Sequence, residues 1–172
     1  MNKSSAPLVR RSEKWYASLL TDVLCLTLIW SVPHLSGWLG FPLYYVEPVR
    51  LVLVLTIVFT NRTNVLFMAV VVPLFSYFLA YHPSIPKSLL LMAELLVNAF
   101  LFYYFFSLGW RILWSIFVSI LVAKLFYYLL KYLFILMALL EFPLISTPLE
   151  FQVITLLVYS GFVTLVLTSR KR

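Results

Sequence analysis

From residue 15 to residue 168 the chain is a near-continuous succession of apolar runs, broken by short clusters of proline, glycine and polar residues. A helix of about 20 apolar residues reaches across bilayer hydrocarbon, roughly 30 Å at 1.5 Å per residue. Inside lipid no water can satisfy the backbone, so a segment of this kind crosses as a helix. A chain of 172 residues holds at most about six or seven such crossings, with almost no room for a water-soluble domain. Composition agrees: 63% of residues are hydrophobic and 11% charged, against about 45–50% and about 25% in soluble domains. These values exclude an ordinary cytosolic enzyme, a nucleic-acid-binding module and a disordered regulator. The chain reads as an all-α polytopic membrane protein, a single integral domain over residues 1–172.

Six spans are predicted, at about 15–32, 49–60, 65–81, 88–107, 111–140 and 151–168. The polar, basic start precedes an apolar run without an obvious small-residue cleavage site, so that run reads as a retained first span. Residues 33–42, rich in proline and glycine, and 43–48 after them predict a long loop lying on or dipping into the membrane. The second span is either stunted or borrows residues from that loop. Asn61-Arg62-Thr63-Asn64 predicts a tight polar turn, and Pro73 predicts a kink in the third span. The fifth run exceeds what a bilayer needs, which predicts tilt or projection beyond the surface.

The net charge of +7 reads as topology, not as a nucleic-acid surface. Lys3, Arg10, Arg11, Lys14, Arg62, Arg111, Arg170, Lys171 and Arg172 fall on one side if both termini are cytoplasmic. Only Arg50 and Lys87 fall near the other boundary. Basic residues gather on the cytoplasmic side, which selects this orientation. Trp15, Trp110 and Trp114 at one boundary, with Trp30 and Trp38 at the other, agree with it.

Charges inside a span cost a few kcal/mol each and usually face a partner in the bundle interior. Glu94 lies roughly 10 Å below the outer boundary, and Asn98 shares its helix face. Lys124 lies about 20 Å above the cytoplasmic surface, with Lys131 on the same face and Tyr127 and Tyr128 between them. The turn between spans four and five predicts that Glu94 and Lys124 are neighbours. One reading is a buried ion pair that fixes helix register. The other is an outer-half pocket closed by aromatic segments holding Tyr44, Tyr45 and His82, with Arg50 as a further cation or a snorkelling side chain. Glu94 suits an amine, Lys124 and Arg50 an anion, and Tyr45 or Tyr128 a ring.

His34 and His82 sit in separate loops without a Cys, Asp or Glu cluster, so no metal site is expected. The single cysteine, Cys25, excludes a disulfide within the chain. Ala17, Thr21 and Cys25 recur every four residues on span one, a stripe that lets another helix approach closely. No phosphate loop, H-E-x-x-H or G-x-S-x-G motif occurs, so neither catalysis nor a cofactor is expected.

Residues 61–98 carry Pro73-Leu74-Phe75-Ser76, then His82-Pro83 with Pro86-Lys87, then Glu94 with Asn98. With six short spans, both termini inside, a long outer first loop and a stunted second span, the layout resembles the substrate-binding S components of energy-coupling factor (ECF) vitamin transporters. The resemblance implies a small vitamin-like nutrient bound in the outer half, and a bacterial cytoplasmic membrane. It also implies docking on a transmembrane coupling protein with two cytoplasmic ATPases, which would drive uptake. The family docks through an Ala-x-x-x-Ala pattern on span one, and here Ala17-x-x-x-Thr21 stands in that place, with Cys25 beyond. A zwitterionic or partly aromatic metabolite fits the charged residues better than a simple ion. In size and span count the chain also resembles the MreD structural subunit of the bacterial cell-elongation machinery, which has no transport role.

Overall fold

The computed structural model describes residues 13–80, 84–141, 143–145 and 147–170. They form six helices in sequence: α1 (Glu13–Leu39), α2 (Pro48–Phe59), α3 (Arg62–Ala80), α4 (Ile85–Ser107), α5 (Ile112–Leu136) and α6 (Leu149–Ser169). A single 3-10 turn, Leu43–Val46, precedes α2, and no strand occurs among the described residues. Four helices are long and apolar enough to cross a membrane: α4, α5, α6 and the stretch Tyr16–Leu39 of α1. Their outward faces carry Leu20, Trp30, Phe100, Leu125 and Leu165 exposed, and Trp38 is 83% exposed. Apolar surface of that extent is tolerated when lipid covers it. The chain is a multi-pass helical membrane protein.

The short helix is the central one. α2 packs against α1, α3, α4 and α6, while α4 lies between α3 and α5, and α5 against α6. A helix that is apolar on every side is buried on every side. Val52, Leu53, Val54, Thr56, Ile57 and Val58 are all buried on α2. Leu53, Val54, Ile57 and Val58 join Val65 and Ala69 of α3, Leu95, Ala99 and Phe102 of α4, and Ile116 and Ile120 of α5 in the main core. Ser115, Ser119 and Ala123, spaced by four on α5, are fully buried. This is the small-residue stripe that lets two helix backbones approach in lipid, and it lies where α5 packs on its neighbours.

Local chemistry explains most helix ends. Pro48 and Pro86 occupy first-turn positions of α2 and α4, where the missing N–H costs nothing. Asn61 caps α3 by accepting the Asn64 N–H at 2.9 Å. Gly109, at φ +84°, closes α4, and the Trp110 N–H returns to the Phe105 carbonyl.

Two expectations are corrected. Span one does not stop at residue 32: α1 continues through Pro33 to Leu39, so the predicted long first loop shrinks to a short segment around the 3-10 turn. Proline forfeits one backbone hydrogen bond, a loss a long helix can carry. Span five stops at Leu136, not near residue 140, because Ala138 turns left-handed at φ +55°. The third helix holds Pro73 inside it, where the sequence placed it.

Ala138 occupies the position that Gly109 fills on α4, with the Leu139 N–H returning to the Phe134 carbonyl at 2.9 Å. Its methyl is exposed, so Ala138→Gly removes the left-handed strain without opening a cavity. Thermal unfolding in detergent is expected to show a gain of about 0.5–1 kcal/mol.

Candidate functional site

The site begins at one backbone position. Glu47 ends the 3-10 turn, caps α2 and holds φ +52°, a conformation that non-glycine residues avoid. Its N–H returns to the Tyr44 carbonyl at 3.1 Å, and its own carbonyl accepts from the Arg50 and Leu51 N–H groups. This twist costs about 1 kcal/mol and is offset by what it does to the side chain. The Glu47 carboxylate accepts from Arg50, one turn further along α2, and from Lys124 on α5. Arg50 also reaches across to Glu94 on α4. The result is a chain of alternating charge, Lys124–Glu47–Arg50–Glu94, whose net charge is zero.

Burial makes this alternation necessary. Arg50 and Glu94 are 4% and 5% exposed, and an unpaired ion at such a position costs several kcal/mol. Polar groups from α6 extend the network. Gln152 Oε1 accepts from Lys124 Nζ at 3.1 Å and from the Tyr128 hydroxyl at 2.7 Å. Gln152 Nε2 donates to the Thr147 carbonyl at 2.7 Å, before α6 begins. Above the network sits the aromatic turn. The Tyr159 hydroxyl donates to the Val46 carbonyl, and Tyr45 packs on Phe151 with ring centroids 5.2 Å apart.

One helical turn further along α4 lies Asn98, 0% exposed. Its Oδ1 is 3.0 Å from Ser119 Oγ, which is also 2.9 Å from the Ile116 carbonyl. A hydroxyl has one proton to give, so one of these contacts goes without it. Asn98 Nδ2 and Arg50 Nε are buried without hydrogen-bond partners among the described residues. Asn98→Leu conserves most of the volume and removes that orphaned amide. Its melting midpoint is expected to equal or slightly exceed that of the parent, by up to about 1 kcal/mol. Loss of stability would mean that the amide is satisfied in the folded protein.

Of the residues singled out in the sequence, Arg50, Glu94, Lys124 and Tyr128 come together here. Asn98 lies one turn away, Tyr45 belongs to the aromatic turn, and His82 lies outside the described residues. Glu94 and Lys124 fall in one charge network, as their expected proximity requires, but no direct ion pair joins them among the described residues, and Glu47 and Arg50 stand between. Arg50 is a buried, doubly paired cation, which corrects its reading as a snorkelling side chain.

The stripe on α1 is also revised. Cys25 is buried with Ile29, Val52, Met68 and Val72, so it packs within the chain and offers no docking surface. Thr21 bonds back to the Ala17 carbonyl at 2.8 Å, and Ala17 remains exposed. Lys131 donates to the Pro143 and Leu144 carbonyls at 2.9 and 2.7 Å, tethering the segment between α5 and α6. Asp22 accepts from Asn64 Nδ2 at 2.7 Å, joining α1 to α3.

Sequence reasoning missed Glu47, Gln152 and Tyr159. A signal existed for the first: Glu47-Pro48-Val49-Arg50 sets an acid and a base three residues apart across a helix start. Gln152 and Tyr159 looked like ordinary polar residues on an apolar helix. The arrangement holds no nucleophile–base pair, and no group of three or more His, Cys, Asp or Glu occurs among the described residues. It gathers charges of both signs in one cluster of ion pairs. No family model, curated protein or solved structure matches the chain.

Proposed function

We propose that the chain is the substrate-binding subunit of an ECF-type importer, with six spans and both termini in the cytoplasm. In this reading the quartet Glu47, Arg50, Glu94 and Lys124 is the recognition site in the outer half, and the aromatic turn is its cover. The observation that carries it is the concentration of four ions beneath a short, strained turn. A ligand bearing both an acidic and a basic group can replace internal partners pair for pair, with no net charge brought into the membrane. Tyr128, joined to Lys124 through Gln152, and Tyr45 of the aromatic turn would suit a ring. Energy for uptake would come from a coupling protein and two ATPases, so this chain supplies recognition only.

One observation favours a second reading. The four charges pair with one another across α2, α4 and α5, and Gln152 ties in α6, as expected of a clamp that locks four helices in register. A structural subunit similar to MreD needs nothing more.

Mass spectrometry of small molecules retained by the purified protein tests the first reading, followed by binding of a vitamin panel. A retained zwitterionic or aromatic metabolite, bound at least tenfold more weakly by Glu94→Gln and Lys124→Met, supports it. Equal affinity in both variants removes the quartet from the site. Co-purification of cell-wall synthesis proteins, with no retained metabolite and no ATPase pair, supports the structural reading instead.

A further inference from the structure

The quartet leaves a second feature unused, at the opposite end of the bundle. There α2, α4 and α6 end and α3 and α5 begin, around an open cavity of about 330 Å³. Small-molecule sites occupy about 300–1,000 Å³, so this space suits part of a ligand or a single chain. Phe102, Phe106, Ile112 and Leu167 form its apolar wall, while Arg62, Arg170 and Tyr103 stand at its polar side. Among the described residues no acidic side chain lines it.

Both guanidinium groups are held in place by their neighbours. Arg62 lies 5.4 Å over the Tyr103 ring, and Arg170 lies 5.0 Å over the Phe59 ring. Arg170 also donates to the Val58 carbonyl at 2.7 Å, which uses one of its five donors. Arg62 donates no hydrogen bond to any described residue. Two exposed cations with unused planar donors form a fork suited to phosphate oxygens. A free phosphate would leave the apolar wall uncovered, and a neutral lipid would leave the arginines unmatched.

We infer that this cavity binds an anionic phospholipid, with its phosphate between Arg62 and Arg170 and an acyl chain along Phe102, Phe106 and Leu167. The inference is independent of what the buried quartet does. Positive charge near a membrane surface attracts anionic lipid in general, so the test must separate this site from that background.

Native mass spectrometry provides the readout, as retention of phosphatidylglycerol over phosphatidylcholine after exchange into mixed micelles of the two. The full chain is expected to retain one phosphatidylglycerol preferentially. Each of Arg62→Gln and Arg170→Gln should weaken that preference about fivefold, the effect of one surface cation. Arg111→Gln, at the same end but outside the lining, should leave it unchanged. Arg62→Gln breaks no hydrogen bond to a described residue and remains informative if Arg170→Gln folds poorly. Equal losses in all three variants, or no loss in Arg62→Gln, would overturn the site. Competition by millimolar glycerol phosphate as strong as by lipid would overturn the acyl-chain assignment and leave a free anion as the occupant.

Discussion

Arg50→Met should destabilise the protein by about 3–5 kcal/mol, the usual cost of removing one partner from a buried ion pair. The loss comes less from the missing attraction than from what stays behind. Glu94, 5% exposed, loses the only ion-pair partner it has among the described residues. Glu47 retains Lys124 and suffers less. The double variant Arg50→Met/Glu94→Leu removes both ions of the deeper pair and leaves Glu47–Lys124 intact. It should recover most of the loss, because a well-packed apolar pair is often as stable as a buried ionic one. Thermal or denaturant unfolding in one detergent measures both. A double variant as unstable as Arg50→Met alone would show that the arginine acts through packing, not through the charge of Glu94.

Gln152→Leu carries the second large expected effect, about 2–4 kcal/mol. The substitution strips three groups of a partner at once: Lys124 Nζ, the Tyr128 hydroxyl and the Thr147 carbonyl. Lys124 keeps Glu47, so the loss falls on the half-buried Tyr128 hydroxyl and Thr147 carbonyl, at about 1–3 kcal/mol for each group left unsatisfied. Gln152→Glu separates these losses. A carboxylate still accepts from Lys124 and Tyr128 but cannot donate to Thr147, so its loss should be smaller. Hydrogen exchange should rise in the segment around residues 143–148 for both variants, since the Thr147 contact is lost in both. If Gln152→Glu proves worse than Gln152→Leu, the added negative charge outweighs the retained hydrogen bonds, and the quartet does not tolerate an unbalanced anion.

The class of the molecule was legible because lipid imposes the same demand on every residue of a crossing helix. The start of α2 was legible to within a residue, but α3 and α4 begin three residues before the expected 65 and 88, at Arg62 and Ile85, because polar and proline residues in a first turn read as loop when hydropathy sets the boundary. Helix ends were less so. Apolarity continues past Leu136 because lipid asks for apolar residues whether or not they are helical, so hydropathy cannot mark where α5 stops. Pro33 read as a stop, although its cost is a single backbone hydrogen bond. The site was half legible. Arg50, Glu94 and Lys124 stand out as ions inside apolar runs, but the pairing among them does not. Arg50 and Glu94 are 44 residues apart, and Lys124 and Glu47 are 77 apart. Those distances are closed by how α2 sits among α4, α5 and α6, which no local pattern encodes. Glu47 was passed over because a lone acid beside a proline reads as a solvated loop residue.

The brevity of α2 has a consequence for the membrane itself. Its 12 residues rise about 18 Å, well short of about 30 Å of hydrocarbon. A helix this short does not by itself reach across that thickness, so its neighbours complete the layer around it. Irregular backbone within hydrocarbon survives only when protein satisfies it. The turn before α2 meets this demand: the Leu43 N–H bonds to Ser36 Oγ at 3.0 Å, the Tyr45 N–H bonds to the Pro42 carbonyl at 3.0 Å, and Tyr159 covers the Val46 carbonyl. At the other end Arg170 donates to the Val58 carbonyl at 2.7 Å, so α6 reaches over both ends of this short helix with one side chain each, Tyr159 and Arg170.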